Sequence, residues 1–230
     1  EGGLVSADLL SAIASQPFGQ QPQDFGFEKN ILVRDEIAQA WADAGQQYRI
    51  FAKRIAREDS SDKYGTTRTR EFLAVPLFSM LGWRLETVRE AERIGERSYP
   101  ISHRDSDRGV RVHITSANES LDRPREGDAR KISPHALVQE FLNCSEDHLW
   151  AVVTNGRKIR VLRDASRLVR ITCVEFDLER MFDEDLFADF AILFRFLHAT
   201  RFASGEGAAE CLAERYHQHS LIEGSRVRER

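Results

Sequence analysis

Apolar positions recur along this chain with two periods, about 3.6 and about 2, and the switches between them outline its elements. Leu4–Ala14 reads as a short helix and Gln16–Gly26 as a Pro/Gly/Gln-rich connector. Ile37, Trp41, Tyr48, Phe51 and Ile55 then fall three, four or seven residues apart, on one face of a long helix that Asn30 or Asp35 can cap. Asp59–Gly65 predicts a turn. Thr66–Thr67 opens a second helix through Leu81, with Pro76 set to kink or divide it and Gly82 to stop it. From Trp83 the period shortens: Arg84–Val88, Ser98–His103 and Gly109–Thr115 read as extended runs, and Ser116–Lys131 as a polar surface loop. Ser133 before Pro134 predicts a helix start, with Leu137, Val138, Phe141 and Leu142 on its buried face. Leu149–Thr154 and Lys158–Arg163 flank Asn155–Gly156, the preferred pair for a type I′ hairpin, and Ile171–Phe176 extends it to a meander. The segment Leu186–Leu197 is apolar nearly all round, so Phe187, Phe190 and Phe194 are expected as anchors of a helix covered on several sides. A last helix spans roughly Ala208–His219.

Helices, strands, helix, strands, helices, in that order, predict a layered α/β or α+β fold. Composition adds bounds rather than detail. With 33 Lys plus Arg against 37 Asp plus Glu, the formal charge is −4, which excludes a histone-like polycation but not a local basic face. Fourteen Phe and three Trp give bulk for a sizeable core. Cys144, Cys173 and Cys211 share no CxxC spacing; their odd number predicts a reducing, cytoplasmic setting and neither a disulfide framework nor a zinc site. Asp189 and Arg195 interrupt the most apolar stretch, so no membrane span is expected. The chain opens on Glu1 and closes on Arg226–Arg230, which predicts a piece of a longer polypeptide.

Several stretches together carry a resemblance: "TRTREFLAVPLFSMLGWRL", "YPISHR", "VRVHITSA", "SPHALVQEFLN", "LWAVVTNGRKIRVLRD" and "VEFDLERMF". In order and character this set resembles the N-terminal restriction-endonuclease-like domain of large restriction–modification polypeptides. It is most similar to the adenine-specific DNA methyltransferases of DISARM-type and type IIG-like anti-phage systems. The resemblance implies a restriction-endonuclease-like mixed-sheet core over residues 66–177. An N-terminal helical region would occupy residues 1–65. A C-terminal helical region, 178–230, would lead into a downstream methyltransferase domain. It further implies double-stranded DNA, that methyltransferase domain and other defence-system subunits as partners. S-adenosylmethionine would serve the parent polypeptide, with no cofactor in this chain.

The implied nuclease fold needs a carboxylate ending one strand and a Glu–x–Lys on the next, which hold Mg²⁺ and activate water. Here the second strand places His113 where Glu is required and Thr115 where Lys is required; the preceding strand offers Tyr99, Ile101 and His103 instead of Asp. Hard Mg²⁺ prefers oxygen ligands, so these positions predict a catalytically degenerate nuclease site with no catalytic residue of its own. An active Mg²⁺-dependent endonuclease would need a displaced set such as Glu86 or Asp107 with Lys131. A pure protein-interaction module, nucleating a defence complex through its aromatic helices, is the third class. His103 and His113, with Asp105 and Asp107 nearby, could be read as a crude transition-metal pair. The plainer expectation is a backbone-bonded His113, a solvated His103 and no metal.

Charge is concentrated rather than spread. Arg157, Lys158, Arg160, Arg163, Arg167 and Arg170 face only Asp164 in that segment. On a strand, Lys158 and Arg160 share the face opposite Ile159 and Val161, which suits either DNA phosphates or bare solvent. Glu175–Asp189 carries seven acids against Arg180, so no continuous basic surface is expected. No Asn–Pro–Pro–Tyr-type tetrad, Gly-rich cofactor loop, P-loop or nucleophile elbow occurs in the sequence.

Overall fold

In a computed structural model the chain is described over residues 4–57, 65–127, 130–165 and 172–228. The elements begin with α1 (Ala7–Ser11), a 3₁₀ turn over Ile13–Ser15 and a second over Pro22–Phe25. The long helix α2 (Val33–Ile55) buries Ile37, Tyr48 and Phe51, as the periodicity predicts. Its N-cap is Leu32 and no side chain caps it, so neither Asn30 nor Asp35 has that role; Asp35 and Glu36 instead complement the dipole from the first turn. The predicted turn Asp59–Gly65 lies outside the described residues except for Gly65.

The second predicted helix is divided where proline demands it. It runs as α3 (Thr66–Thr69), a π-helical segment over Arg70–Ala74, and α4 (Val75–Met80). Pro76 has no N–H to offer the carbonyl one turn back. The Gln47 side-chain amide donates to that Phe72 carbonyl at 2.7 Å, so the gap is filled from α2. Gly82 follows with φ +78°, ending the helix in the left-handed region.

Among the described residues eight strands follow in two sheets: β1 (Leu85–Thr87), β2 (Glu92–Ile94), β3 (Arg97–Tyr99), β4 (His103–Asp105), β5 (Arg111–Ile114), β6 (Trp150–Thr154), β7 (Lys158–Arg163) and β8 (Cys173–Asp177). The main sheet has the order β1-β4-β5-β6-β7-β8, and β2 pairs with β3 as a separate hairpin. Only β5 and β6 are parallel, joined by the crossover helix α5 (Pro134–Cys144); every other neighbour is antiparallel. The predicted run Ser98–His103 is therefore two strands in different sheets, parted at Pro100, and β2 has no counterpart in the sequence reading. Ser133 caps α5 by accepting from the Ala136 N–H at 3.1 Å, with Pro134 at the first helical position.

The hairpin at residues 155–158 forms, but not as type I′. Thr154 pairs with Ile159, and Gly156 alone takes positive φ, +79°. Glycine at the first of two central residues is the sign pattern of a II′ turn. Asn155 serves from outside: its Oδ1 accepts from the Arg157 and Lys158 N–H groups at 3.0 and 2.9 Å. A side chain at Gly156 would reach 2.8 Å from Thr69 and 3.0 Å from Phe51, so glycine also permits the turn to lie on α2 and α3.

The last elements are α6 (Leu178–Asp183), α7 (Phe187–Leu197), 3₁₀ turns over Ala199–Arg201 and Gly205–Glu210, and α8 (Leu212–Arg228). Alternation along the strands divides the interior in two. Val112, Val152, Ile159 and Val161 face a large core with α2, α4, α7 and α8, drawing on residues from Leu4 to Tyr216. Ala151, Val153 and Leu162 face a smaller core under α5. The mixed sheet is thus covered on both faces. Phe190 and Phe194 are buried as anchors; Phe187, expected as a third, is 43% exposed because it sits at the open end of α7. Among the described residues no helix is long and apolar enough to cross a membrane.

Candidate functional site at the end of strand β5

The parallel β5–β6 pair continues past its last strand residue, with the Thr115 N–H donating to the Thr154 carbonyl at 2.9 Å. Where β5 gives way to loop, a cleft of about 280 Å³ opens between the sheet and the start of α5. His113 and Thr115 lie in its wall, with Glu119, Arg125 and Arg130 from the following loop. His113 and Thr115, the two positions expected to stand in for Glu and Lys, therefore meet in one cleft.

Its chemistry is different from a metal site. Among the described lining residues Glu119 is the sole carboxylate, and it is engaged twice, by an ion pair with Arg125 and by the Thr115 hydroxyl. Burial pulls His113 down to about 4, Arg130 adding to the shift and Glu119 opposing it, so the ring is neutral at pH 7. Its Nδ1 is buried without a partner, so the expected backbone hydrogen bond is not made there. No group of three or more metal-ligating side chains occurs among the described residues.

His103 is elsewhere. It pairs in register with Val112, one residue before His113, so the two rings project to opposite faces of the sheet. A His103–His113 metal pair is thereby ruled out by the pleat. Nor is His103 a solvated strand end: it is 3% exposed, its Nδ1 lies 2.8 Å from the Ser102 hydroxyl, and burial lowers it to about 4. Glu86 sits on edge strand β1 against Arg104, and Asp107 pairs with Arg84 in the turn before β5, at the strand end opposite Thr115. The displaced set of Glu86 or Asp107 with Lys131 is not assembled.

The basic hairpin is neutralised from within. Arg160 is 8% exposed, because α5 and the loop before it cover the strand face expected to be open. Its guanidinium is held by both oxygens of Asp122 at 2.5 and 2.9 Å and by Glu175 at 2.6 Å, with His135 Nδ1 at 3.3 Å. Those bonds, the one to Asp122 first, raise Arg160 further and hold Asp122 below the usual carboxylate range. Lys158 meets Glu175 at 2.7 Å, Arg157 pairs with Glu179, and Arg163 makes a fork to Glu214 at 2.8 and 2.9 Å. Burial opposes the Glu214 charge, and Arg163 with Gln218 outweighs it, so its carboxyl stays below the usual range. Arg167 and Arg170 lie outside the described residues.

Sequence reasoning missed Glu119, Arg125 and Arg130, which sit in a stretch read only as surface loop. Nothing local in that stretch marks them; only the return of the loop over the end of β5 brings them together. No family model matches the chain, and no curated protein or solved structure matches it.

Proposed function

We propose that this chain is a nuclease-like accessory domain of an adenine-specific DNA methyltransferase, of the DISARM-type or type IIG-like kind its motifs resemble, and that it holds duplex DNA without cutting it. The observation that carries this reading is the cleft at the end of β5. It lies at the strand end where this reading puts a nuclease centre, and it offers a neutral imidazole, a hydroxyl and one engaged carboxylate beside two guanidinium groups. Such a donor set favours an anion over Mg²⁺. The order of elements gives further support: a helix running into a strand, an antiparallel strand pair, the α5 crossover and the hairpin follow one another as the resembling motifs do. Methyl transfer and S-adenosylmethionine belong, in this reading, to the downstream part of such a polypeptide.

In this reading DNA contact falls to Arg125 and Arg130, which line the cleft, and not to the hairpin, whose Arg160 is covered by α5. Fluorescence anisotropy of a short labelled duplex at graded salt tests this. Arg125→Ala and Arg130→Ala should each weaken binding for all sequences alike and reduce the log–log salt slope by about one unit. Lys158→Ala should leave both unchanged. Loss on changing Lys158 with no effect at Arg125 and Arg130, or no binding by the unaltered protein at low salt, contradicts the proposal.

A further inference from the structure

An open groove of about 700 Å³ runs between α2 and the turn joining α6 to α7. Its size lies within the roughly 300–1,000 Å³ of sites that take small organic ligands. Three features converge in it. Its floor is aromatic: Phe182 stacks on Trp41 at 5.3 Å and on Tyr48 at 4.9 Å between ring centroids. Arg49 and Lys53, one helical turn apart on α2, form one wall, and Asp183 and Asp185 the other.

None of those four charges forms an ion pair, with each other or with any described residue, whereas Arg157, Lys158, Arg160 and Arg163 of the hairpin are each matched. Opposite charges facing across a gap without meeting leave space for something dipolar between them. The groove is also held open on purpose-built backbone. α2 presents Ala42, Gly45 and Ala52 there, and a Cβ on Gly45 would meet only an Arg49 nitrogen at 3.8 Å. Asp185 is one of two non-glycine residues with positive φ among the described residues, at +53°, a conformation found where a turn must aim a side chain.

We infer that this groove binds a nucleotide, with its base against the aromatic floor, its phosphate between Arg49 and Lys53, and its amino or hydroxyl donors toward Asp183 and Asp185. Inorganic phosphate has no use for the rings, and an apolar ring has none for the charges. The two carboxylates disfavour a purely anionic ligand but accept hydrogen bonds from sugar hydroxyls or exocyclic amines. Planar bases stack on such rings, and phosphate completes the cationic wall. The same unit could arrive as a free nucleoside monophosphate or as the 5′-phosphorylated end of a single strand. This inference stands apart from the β5 cleft.

The test is fluorescence titration of the full chain, since Trp41 lines the groove while Trp83 and Trp150 are buried. The ligands are the four nucleoside monophosphates, adenosine, and a short 5′-phosphorylated oligonucleotide. A saturable change is expected, with adenosine at least about tenfold weaker than its monophosphate because the Arg49–Lys53 contact is lost. Saturation by a mononucleotide assigns the free metabolite, and saturation by the oligonucleotide alone assigns the strand end; either supports the inference. Gly45→Leu fills the groove from an open helix position, so it should abolish the response while leaving thermal unfolding intact. No saturable response to any phosphorylated ligand, adenosine binding as well as its monophosphate, or an unchanged response in Gly45→Leu overturns it.

Discussion

Arg201 is the residue whose replacement should damage this fold most. It is 0% exposed, yet no carboxylate among the described residues forms an ion pair with it. Instead Nε donates to the Arg195 carbonyl at 2.9 Å, Nη1 to the Asp24 carbonyl at 2.8 Å, and Nη2 to the Gly19 carbonyl at 2.6 Å. The guanidinium also lies 3.7 Å over the Phe25 ring. One cation thus ties the segment before α2 to the end of α7. Burial lowers its pKa to about 10, which still leaves it charged at pH 7. Arg201→Met keeps the bulk but strands three carbonyls, that of Gly19 buried and those of Asp24 and Arg195 partly buried. At roughly 1 to 1.5 kcal/mol for each acceptor left without a partner, the loss comes to about 4 kcal/mol. For a domain of this size that lowers the melting temperature by about 8–16 °C. Urea titration followed by circular dichroism measures it. Arg104→Met, which removes only an exposed pair with Glu86, serves as the control and should change stability by less than about 0.5 kcal/mol. A loss below about 1 kcal/mol for Arg201→Met would refute the reasoning, since the carbonyls would then have other partners.

Acid should destabilise the fold before most carboxylates titrate. His103 and His113 are lowered to about 4 and His198 to about 3, burial being the main cause in each. Unfolded, each titrates near 6.5, so their contribution is complete above about pH 6.5 and is lost as pH falls toward 4. Three extra protons bound by the unfolded chain give a slope of about 4 kcal/mol per pH unit near pH 5, read from urea midpoints at pH 7, 6 and 5. A flat profile over that range would mean that these rings are hydrated. Along α7, Phe190→Ala should cost roughly 3 to 5 kcal/mol and Phe187→Ala under about 1, since the first is buried and the second exposed; equal losses would contradict the packing.

The fold was legible where one local signal acts alone. The α2 periodicity, the Pro76 division, the Ser133–Pro134 start and the hairpin flanks each depend on residues close in sequence, and each forms. What escaped depends on distant partners. Lys158 and Arg160 alternate as an outer face should, but Asp122 and Glu175 come from other elements and enclose Arg160. His103 and His113 are ten residues apart in sequence with no way to tell their faces until the register fixes Val112 opposite His103. Asn155–Gly156 reads as the turn itself, but the turn lies one residue on, because Asn155 caps it and Gly156 must clear Phe51 and Thr69.

Incubating supercoiled plasmid with the purified chain and Mg²⁺ or Mn²⁺ tests the central claim most directly, with retention of the DNA on the gel read from the same lanes. The β5 cleft holds His113, Thr115 and an engaged Glu119, so the account predicts plasmid that is retarded at low salt and stays uncut. Nicking or linearisation that disappears in Glu119→Gln would contradict it, because the cleft's described carboxylate would then be holding a catalytic metal.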